Sequence, residues 1–65
     1  MPTVNGRPAD LPTDVTVGQL VDDLVPDRRG VAVALDGEVV PRGAWDATHV
    51  AADAEVEVVT AAQGG

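Results

Sequence analysis

The sequence contains no cysteine, which removes disulfides from the ways in which so small a chain could be stabilised. Its single histidine, His49, is too few for a structural zinc site, which takes four cysteine or histidine ligands. Phenylalanine, tyrosine and isoleucine are also absent, so 65 residues must build their core mainly from 13 valines, 10 alanines, four leucines and one tryptophan. This excess of valine over leucine favours β-strands over a helical bundle.

Lysine is absent as well, and four arginines stand against 11 acidic residues, for a net charge of −7. Nucleic acids and anionic membranes bind through positive charge, so we predict neither as a partner and expect a basic protein surface instead. The sequence shows no signal peptide, and its longest apolar run, residues 31–35, is too short to cross a bilayer. We expect a soluble, cytoplasmic monomer.

Serine is missing in addition to cysteine, lysine and tyrosine, so most nucleophilic side chains are absent. Thr48 precedes His49, but neighbours in an extended chain point to opposite sides. Asp22 and Asp23 match no calcium or magnesium loop, and Gly18 is isolated rather than part of a phosphate-binding loop. We therefore predict no catalytic or metal site, with His49 in a loop and the acidic residues on a solvated face.

The pair Asn5-Gly6 is a strong signal for a tight hairpin turn, because both turn positions must tolerate positive φ. It predicts strands at residues 3–5 and 7–11. Pro8 lacks a backbone donor, so the second strand should lie at a sheet edge.

Asp36-Gly37 predicts a second hairpin, between residues 31–35 and 38–40. Valine and leucine alternate with alanine along the first of these strands. The small alanines predict a central strand with other elements packed close against both of its faces.

The clearest helix covers residues 15–24. Thr16 and Gln19 fit a capping box, and Pro26 should end the helix by disfavouring helical geometry just before it. The apolar residues at helical spacing form one stripe that we expect to be buried: Val17, Leu20, Val21 and Leu24.

The remaining part of the chain is predicted to be irregular over residues 44–54, with Trp45 as an anchor in the core. Residues 55–60 alternate again and predict a last strand, with Val56 and Val58 facing inward.

The predicted order is hairpin, helix, hairpin, irregular segment and strand. One helix across one face of a small mixed sheet would bury both apolar surfaces, with the first and last strands adjacent in the middle. We therefore predict an α+β fold of the β-grasp, or ubiquitin-like, type: a mixed four- to five-stranded sheet with one main helix on one face. Residues 1–60 would form this single domain, and residues 61–65 a flexible C-terminal tail.

The sequence ends in Gly64-Gly65, whose lack of side chains would let the α-carboxylate enter a narrow channel of another protein. A carboxylate becomes an electrophile once ATP converts it to an acyl adenylate. A frayed end without function is the alternative, but together with the β-grasp prediction the reactive tail is favoured. The lack of lysine suits an activated tail, although a genomic preference for arginine explains it equally well.

Residues throughout the chain carry a family resemblance: Val4-Asn5-Gly6, Thr16-Val17, residues 31–35, Val39-Val40-Pro41-Arg42, Trp45 and Gly64-Gly65. The Val-Pro-Arg segment followed by Trp45 is the most specific of them. The terminal glycines are shared by all sulfur carriers and ubiquitin-like modifiers. In these residues the whole chain resembles the ThiS family, the small sulfur carriers of thiamine biosynthesis.

This resemblance implies that the protein is a cosubstrate and not an enzyme, and that it binds no cofactor itself. A ubiquitin-activating-type enzyme would use ATP and Mg²⁺ to adenylate Gly65, and a persulfide sulfur donor would convert it to a thiocarboxylate for thiazole synthase. Gly64 would give access to the partner's active site. Arg42, Val59 and Gln63 are candidate docking residues, although Arg42 is equally a solvent-facing charge after a turn.

Three alternatives stay open. The protein could carry sulfur for another pathway, such as molybdopterin or cysteine synthesis, although those carriers are typically longer. It could be a ubiquitin-like modifier that forms isopeptide bonds with target lysines. It could also be a binding module whose tail is inert.

Overall fold

The computed structural model describes residues 1–60, which form one mixed five-stranded sheet with a single α-helix across one face. The elements in chain order are β1 (Thr3–Val4), β2 (Arg7–Pro8), α1 (Val17–Leu24), β3 (Val31–Leu35), β4 (Glu38–Val39), a 3₁₀-helix (Arg42–Ala47) and β5 (Glu55–Thr60). The strand order is β2-β1-β5-β3-β4, in which β1 is parallel to β5 and all other neighbours are antiparallel. The predicted α+β, β-grasp arrangement is confirmed, while the predicted tail, residues 61–65, lies outside the described residues.

Both predicted hairpin turns are present. Asn5 and Gly6 have φ of 53° and 82°, and Asp36 and Gly37 have φ of 51° and 86°, which is the pattern of type I′ turns. β2 lies at the sheet edge, as predicted, but it ends at Pro8 instead of residue 11. One more bond follows, from the Ala9 N–H to the Pro2 carbonyl over 2.8 Å. The ladder ends there because Pro2 has no N–H with which to return a bond to Ala9.

Helix α1 begins at Val17, two residues later than predicted, with Thr16 as its N-cap. The predicted capping box is present: the Gln19 N–H donates to Thr16 Oγ1 over 3.1 Å, and the Thr16 N–H donates to Gln19 Oε1 over 2.9 Å. Leu24, the last residue of α1, is 49% exposed, so the buried stripe ends at Val21, one turn earlier than predicted. The chain leaves helical geometry at Val25, before Pro26, as predicted.

The core lies between α1 and the facing side of the sheet, and Trp45 is its largest member, with 1% exposure. The indole Nε1 of Trp45 donates a 2.9 Å hydrogen bond to the Val40 carbonyl, so the ring is anchored as predicted. The irregular prediction for residues 44–54 is wrong in its first part, where the 3₁₀-helix places Trp45 in the core. The buried apolar side chains that form the core are those of Val15, Val17, Leu20, Val21, Val31, Val33, Trp45, Val50, Ala54 and Val56.

Within residues 1–60, no element covers the face of the sheet opposite α1. Val56 is buried and Val58 is half-buried on the helix side, as predicted, but Ala32 is exposed on the other side. The prediction that elements pack against both faces of β3 is therefore wrong within residues 1–60. The alanines of β3 have small side chains, so they leave a shallow outer surface. No second layer of the described chain covers this surface.

Arg28 bridges α1 and the 3₁₀-helix. Its Nε donates to Asp22 over 2.8 Å, and its Nη2 donates to Asp46 over 3.0 Å. The guanidinium lies 5.7 Å from the centroid of the Trp45 ring, in cation–π geometry. A Cβ at Gly18 would overlap the Asp46 carboxylate, so glycine in the first turn of α1 leaves room for this bridge.

Within residues 1–60, neither helix combines the length and the apolar character needed to cross a membrane. The cytoplasmic location and the monomeric state stay predictions.

The capping box gives a test of the helix start. Thr16→Ala removes the side-chain acceptor for the Gln19 N–H, and we expect it to lower the free energy of unfolding by about 1 kcal/mol. Urea unfolding followed by circular dichroism measures this difference. Thr16→Ser keeps the hydroxyl and should stay close to the wild type, so an equal loss in both variants would contradict the capping role.

The bridge predicts a pH dependence. The hydrogen bond from Arg28 lowers the pKa of the Asp22 carboxyl below its ordinary value. The ion pair therefore contributes stability above the ordinary carboxyl pKa of about 4, and the contribution is lost as the pH falls through the lowered folded pKa. Asp22→Asn should reduce the urea midpoint at pH 7, and its difference from the wild type should shrink below about pH 4.

Asp23→Asn is the matched control, because it removes the same charge at the next position, where residues 1–60 offer no ion pair within 4 Å. A pH-dependent loss of the same size in both variants would show that overall charge, and not the Arg28 bridge, causes the effect.

Candidate functional site

The site is built around the end of β5, the strand that leads toward the predicted reactive terminus. Thr60 lies opposite Val31 of β3, at one end of the central strand of the sheet. The predicted site residues Gln63, Gly64 and Gly65 lie outside the described residues. Of the predicted docking residues, Val59 and Arg42 are therefore the two that the structure places.

Val59 lies on the open face of the sheet and is 59% exposed. Its cross-strand partner is Ala32 of β3. Two positions further along β3, Ala34 pairs with Val39 of β4, which is 75% exposed. These four residues, Val59, Ala32, Ala34 and Val39, form an apolar surface that we call the outer patch. It begins beside Thr60, the last residue of β5.

Arg42 begins the 3₁₀-helix that follows β4, on the side of β3 that faces away from β5. Its Nη2 approaches the Val31 carbonyl at 3.5 Å, and the guanidinium lies 5.5 Å from the centroid of the Trp45 ring. The ladder between β3 and β4 has ended at this point, so Arg42 supplies a weak donor to a carbonyl that would otherwise have none. The residue thus supports the strand end structurally, close to the exit of the chain.

The electrostatic surroundings of Arg42 differ from those of the neighbouring arginines. Arg28 pairs with Asp22 and Asp46, and Arg29 pairs with Asp27 and lowers the pKa of that carboxyl through a side-chain hydrogen bond. Within residues 1–60, no carboxylate lies within 4 Å of Arg42. Its remaining guanidinium donors are therefore available to an acceptor on another molecule, in addition to its contact with Val31.

Two turn residues hold β5 in place through their side chains. Asn5 Oδ1 accepts a 2.8 Å hydrogen bond from the Val58 N–H, and Asp36 Oδ1 accepts a 2.9 Å bond from the Glu55 N–H. Sequence reasoning missed both contacts, because an Asx-Gly pair predicts the turn but not the distant strand that its side chain reaches. Asp36 thus fixes the first residue of β5, and Asn5 fixes its fourth.

The described residues offer few groups for catalysis or ligand binding. Within residues 1–60, no three histidine, aspartate or glutamate side chains come together as metal ligands. His49 is exposed and forms an isolated bridge with Thr16, the N-cap residue of α1. Residues 1–60 fix the position of Thr60 through β3 and place an exposed apolar surface beside it.

Comparison with known proteins agrees with this geometry. The chain is similar to the crystal structure of the thiamine biosynthesis protein ThiS from Geobacter metallireducens, with 37% sequence identity, 98% of this chain and 97% of that chain covered, and a TM-score of 0.82. A comparison with curated protein sequences finds none that matches. The ThiS family model matches residues 3–65, nearly the whole sequence including both terminal glycines, and the chain therefore belongs to the ThiS family.

Proposed function

We propose that this protein is a sulfur carrier of thiamine biosynthesis, whose Gly65 carboxylate is adenylated and then converted to a thiocarboxylate that supplies sulfur for the thiazole ring. The protein acts as a cosubstrate of an adenylating enzyme and a thiazole synthase. The observation that carries the proposal is that the central strand β5 leads toward Gly64-Gly65 in a chain that belongs to the ThiS family.

The chemistry takes place at the terminal carboxylate. A carboxylate oxygen attacks the α-phosphorus of ATP on the partner enzyme, where Mg²⁺ assists, and pyrophosphate leaves. A persulfide sulfur then attacks the acyl carbon and AMP leaves. Cleavage of the sulfur–sulfur bond by a thiol of the sulfur donor leaves the thiocarboxylate on Gly65. Gly64 has no side chain, which lets the terminus enter a narrow active site.

The described residues contribute rigidity and contact area to this cycle. β5 is paired with β3 from Val56 to Thr60, so the origin of the tail is fixed relative to the outer patch. An apolar surface beside the tail can be covered by a partner while the tail occupies the partner's active site. The net charge of −7 favours partners with basic surfaces and accelerates their association.

Intact mass spectrometry tests the proposed chemistry. With the adenylating partner, ATP and a persulfide donor present, we expect a fraction whose mass corresponds to replacement of one oxygen by sulfur. Deletion of Gly65 should abolish this fraction, because the reacting group is then displaced from its position by one residue. The Thr16→Ser variant serves as a fully active control.

Two other outcomes would contradict the proposal. If the wild type shows only the unmodified carboxylate under these conditions, the carrier function fails. If cell extracts contain higher-mass conjugates that depend on Gly65, the protein is a ubiquitin-like modifier.

Substitutions in the outer patch test docking. Val59→Glu places a charge in an apolar contact. We expect it to weaken binding to the adenylating partner by about 10-fold or more, measured by isothermal titration calorimetry. Leu24→Glu is the matched control, because Leu24 is also an exposed apolar residue but lies on the helix instead of the open face. Equal weakening in both variants would mean that the added charge acts from a distance.

Arg42 is tested separately. Arg42→Ala removes the guanidinium donors, and Arg42→Lys keeps the positive charge without the planar fork. We expect both variants to remain folded and Arg42→Ala to bind the adenylating partner several-fold more weakly. Unchanged binding by Arg42→Ala would leave Arg42 with its structural contact to Val31 alone.

A further inference from the structure

The last strand of the sheet extends beyond its neighbour on one side. β1 pairs with β5 only as far as Val4, which lies opposite Val56, and the chain then turns away at Asn5-Gly6. β5 continues to Thr60, and on its other side β3 accompanies it to the end. In the described part of the chain, the final residues of β5 therefore have a neighbouring strand on one side and an open edge on the other.

The alternation of backbone groups identifies which atoms face this edge. The Glu55 carbonyl accepts from the Asp36 N–H, on the side of β3, so Glu57 and Val59 also face β3. The Val56 carbonyl accepts from the Asn5 N–H, on the side of β1, so Val58 and Thr60 face that side.

Asn5 determines where the open edge begins. Its side chain already occupies the Val58 N–H, which would have been the next donor of the ladder. The Val58 carbonyl and the Thr60 N–H follow, and neither has a backbone partner within residues 1–60. An acceptor and a donor spaced in this way are what one rung of a β-ladder presents to an incoming strand.

We propose that this edge, formed by the Val58 carbonyl and the Thr60 N–H, binds an extended segment of the adenylating partner as an added strand. The inference rests on the proposed function and names the contact by which the partner aligns the tail. Backbone pairing beside the start of the tail fixes the direction of the chain without requiring any particular side chain. Val59, on the outer patch, supplies the adjacent apolar contact.

Charge favours a different protein over a second copy of this chain. Glu55 and Glu57 project from β5 on the open face, next to the edge. Two copies paired through this edge would bring their glutamates together, and like charges on neighbouring strands are unfavourable. A partner segment with a basic side chain facing Glu57 would instead gain a favourable cross-strand pair.

The donor at this edge can be removed with little change to the fold. Thr60→Pro eliminates the N–H and places the proline ring at the edge, while the bonds between β5 and β3 use Val59 and Glu57 instead. Proline is tolerated where the N–H of a strand faces solvent, and it favours extended geometry at the preceding residue, which Val59 already has. Thr60→Val is the matched control, because it keeps the N–H and a β-branched side chain.

We expect Thr60→Val to bind the adenylating partner like the wild type, and Thr60→Pro to bind about 10-fold more weakly or worse, by isothermal titration calorimetry. Circular dichroism and the urea midpoint of the free variants confirm that both remain folded. Val59→Pro removes a donor from the ladder between β5 and β3. It serves as the reference for a disrupted sheet, with a lower urea midpoint than the other two variants.

Hydrogen exchange gives a second readout that needs no substitution. In the complex with the adenylating partner, the Thr60 amide should exchange at least about 10-fold more slowly than in the free protein. The Val58 amide is the internal reference, because its bond to Asn5 is already present in the free protein and its exchange should change much less.

Strand addition is overturned if Thr60→Pro binds as tightly as Thr60→Val, or if the Thr60 amide exchanges at the same rate in the saturated complex. It is also overturned if analytical ultracentrifugation shows that the wild type is a dimer and Thr60→Pro a monomer, because the edge then binds a second copy. The proposed function fails separately, if neither the wild type nor Thr60→Val is adenylated in the presence of the partner and ATP.

Discussion

The parallel pairing of β1 with β5 places the first and last strands of the described chain side by side, and the rest of the sheet depends on it. β5 is the strand that both hairpins share, because β1 and β3 pair with its two sides. The side chains of Asn5 and Asp36 add one bond each to its backbone. A strand held on both flanks gives the residues that follow it a fixed origin.

The two faces of the sheet differ in burial within residues 1–60: one packs against the helix and the other is exposed. The helix face is filled by valines and Trp45, so a chain without phenylalanine, isoleucine or cysteine still closes a core. The opposite face is left open and carries Val39 and Val59 beside glutamates. An uncovered apolar surface of this kind is usually a contact surface, and the surrounding acidic charge discourages self-association. Arg42 adds a guanidinium near the same end of the sheet.

Much of this fold could be predicted from the sequence because its strongest signals are local. The Asx-Gly turns and the capping box at Thr16 each act within four residues. The exposure of Leu24 and Ala32 and the 3₁₀ geometry around Trp45 could not be predicted, since they depend on which surfaces the distant parts of the chain cover. The same limit applies to the site: Val59 and Arg42 were predicted as candidates, but Asn5 was predicted only as a turn residue.

The bond from Val58 to Asn5 spans 53 positions of the sequence, which has a consequence for the order of folding. Both hairpins are synthesised before β5, but neither has its place in the sheet until β5, the last strand of the described residues, inserts between them. The open edge beside Thr60 exists only after that insertion. An enzyme that binds this edge would therefore adenylate only chains that have finished folding. It would use no ATP on misfolded or nascent chains.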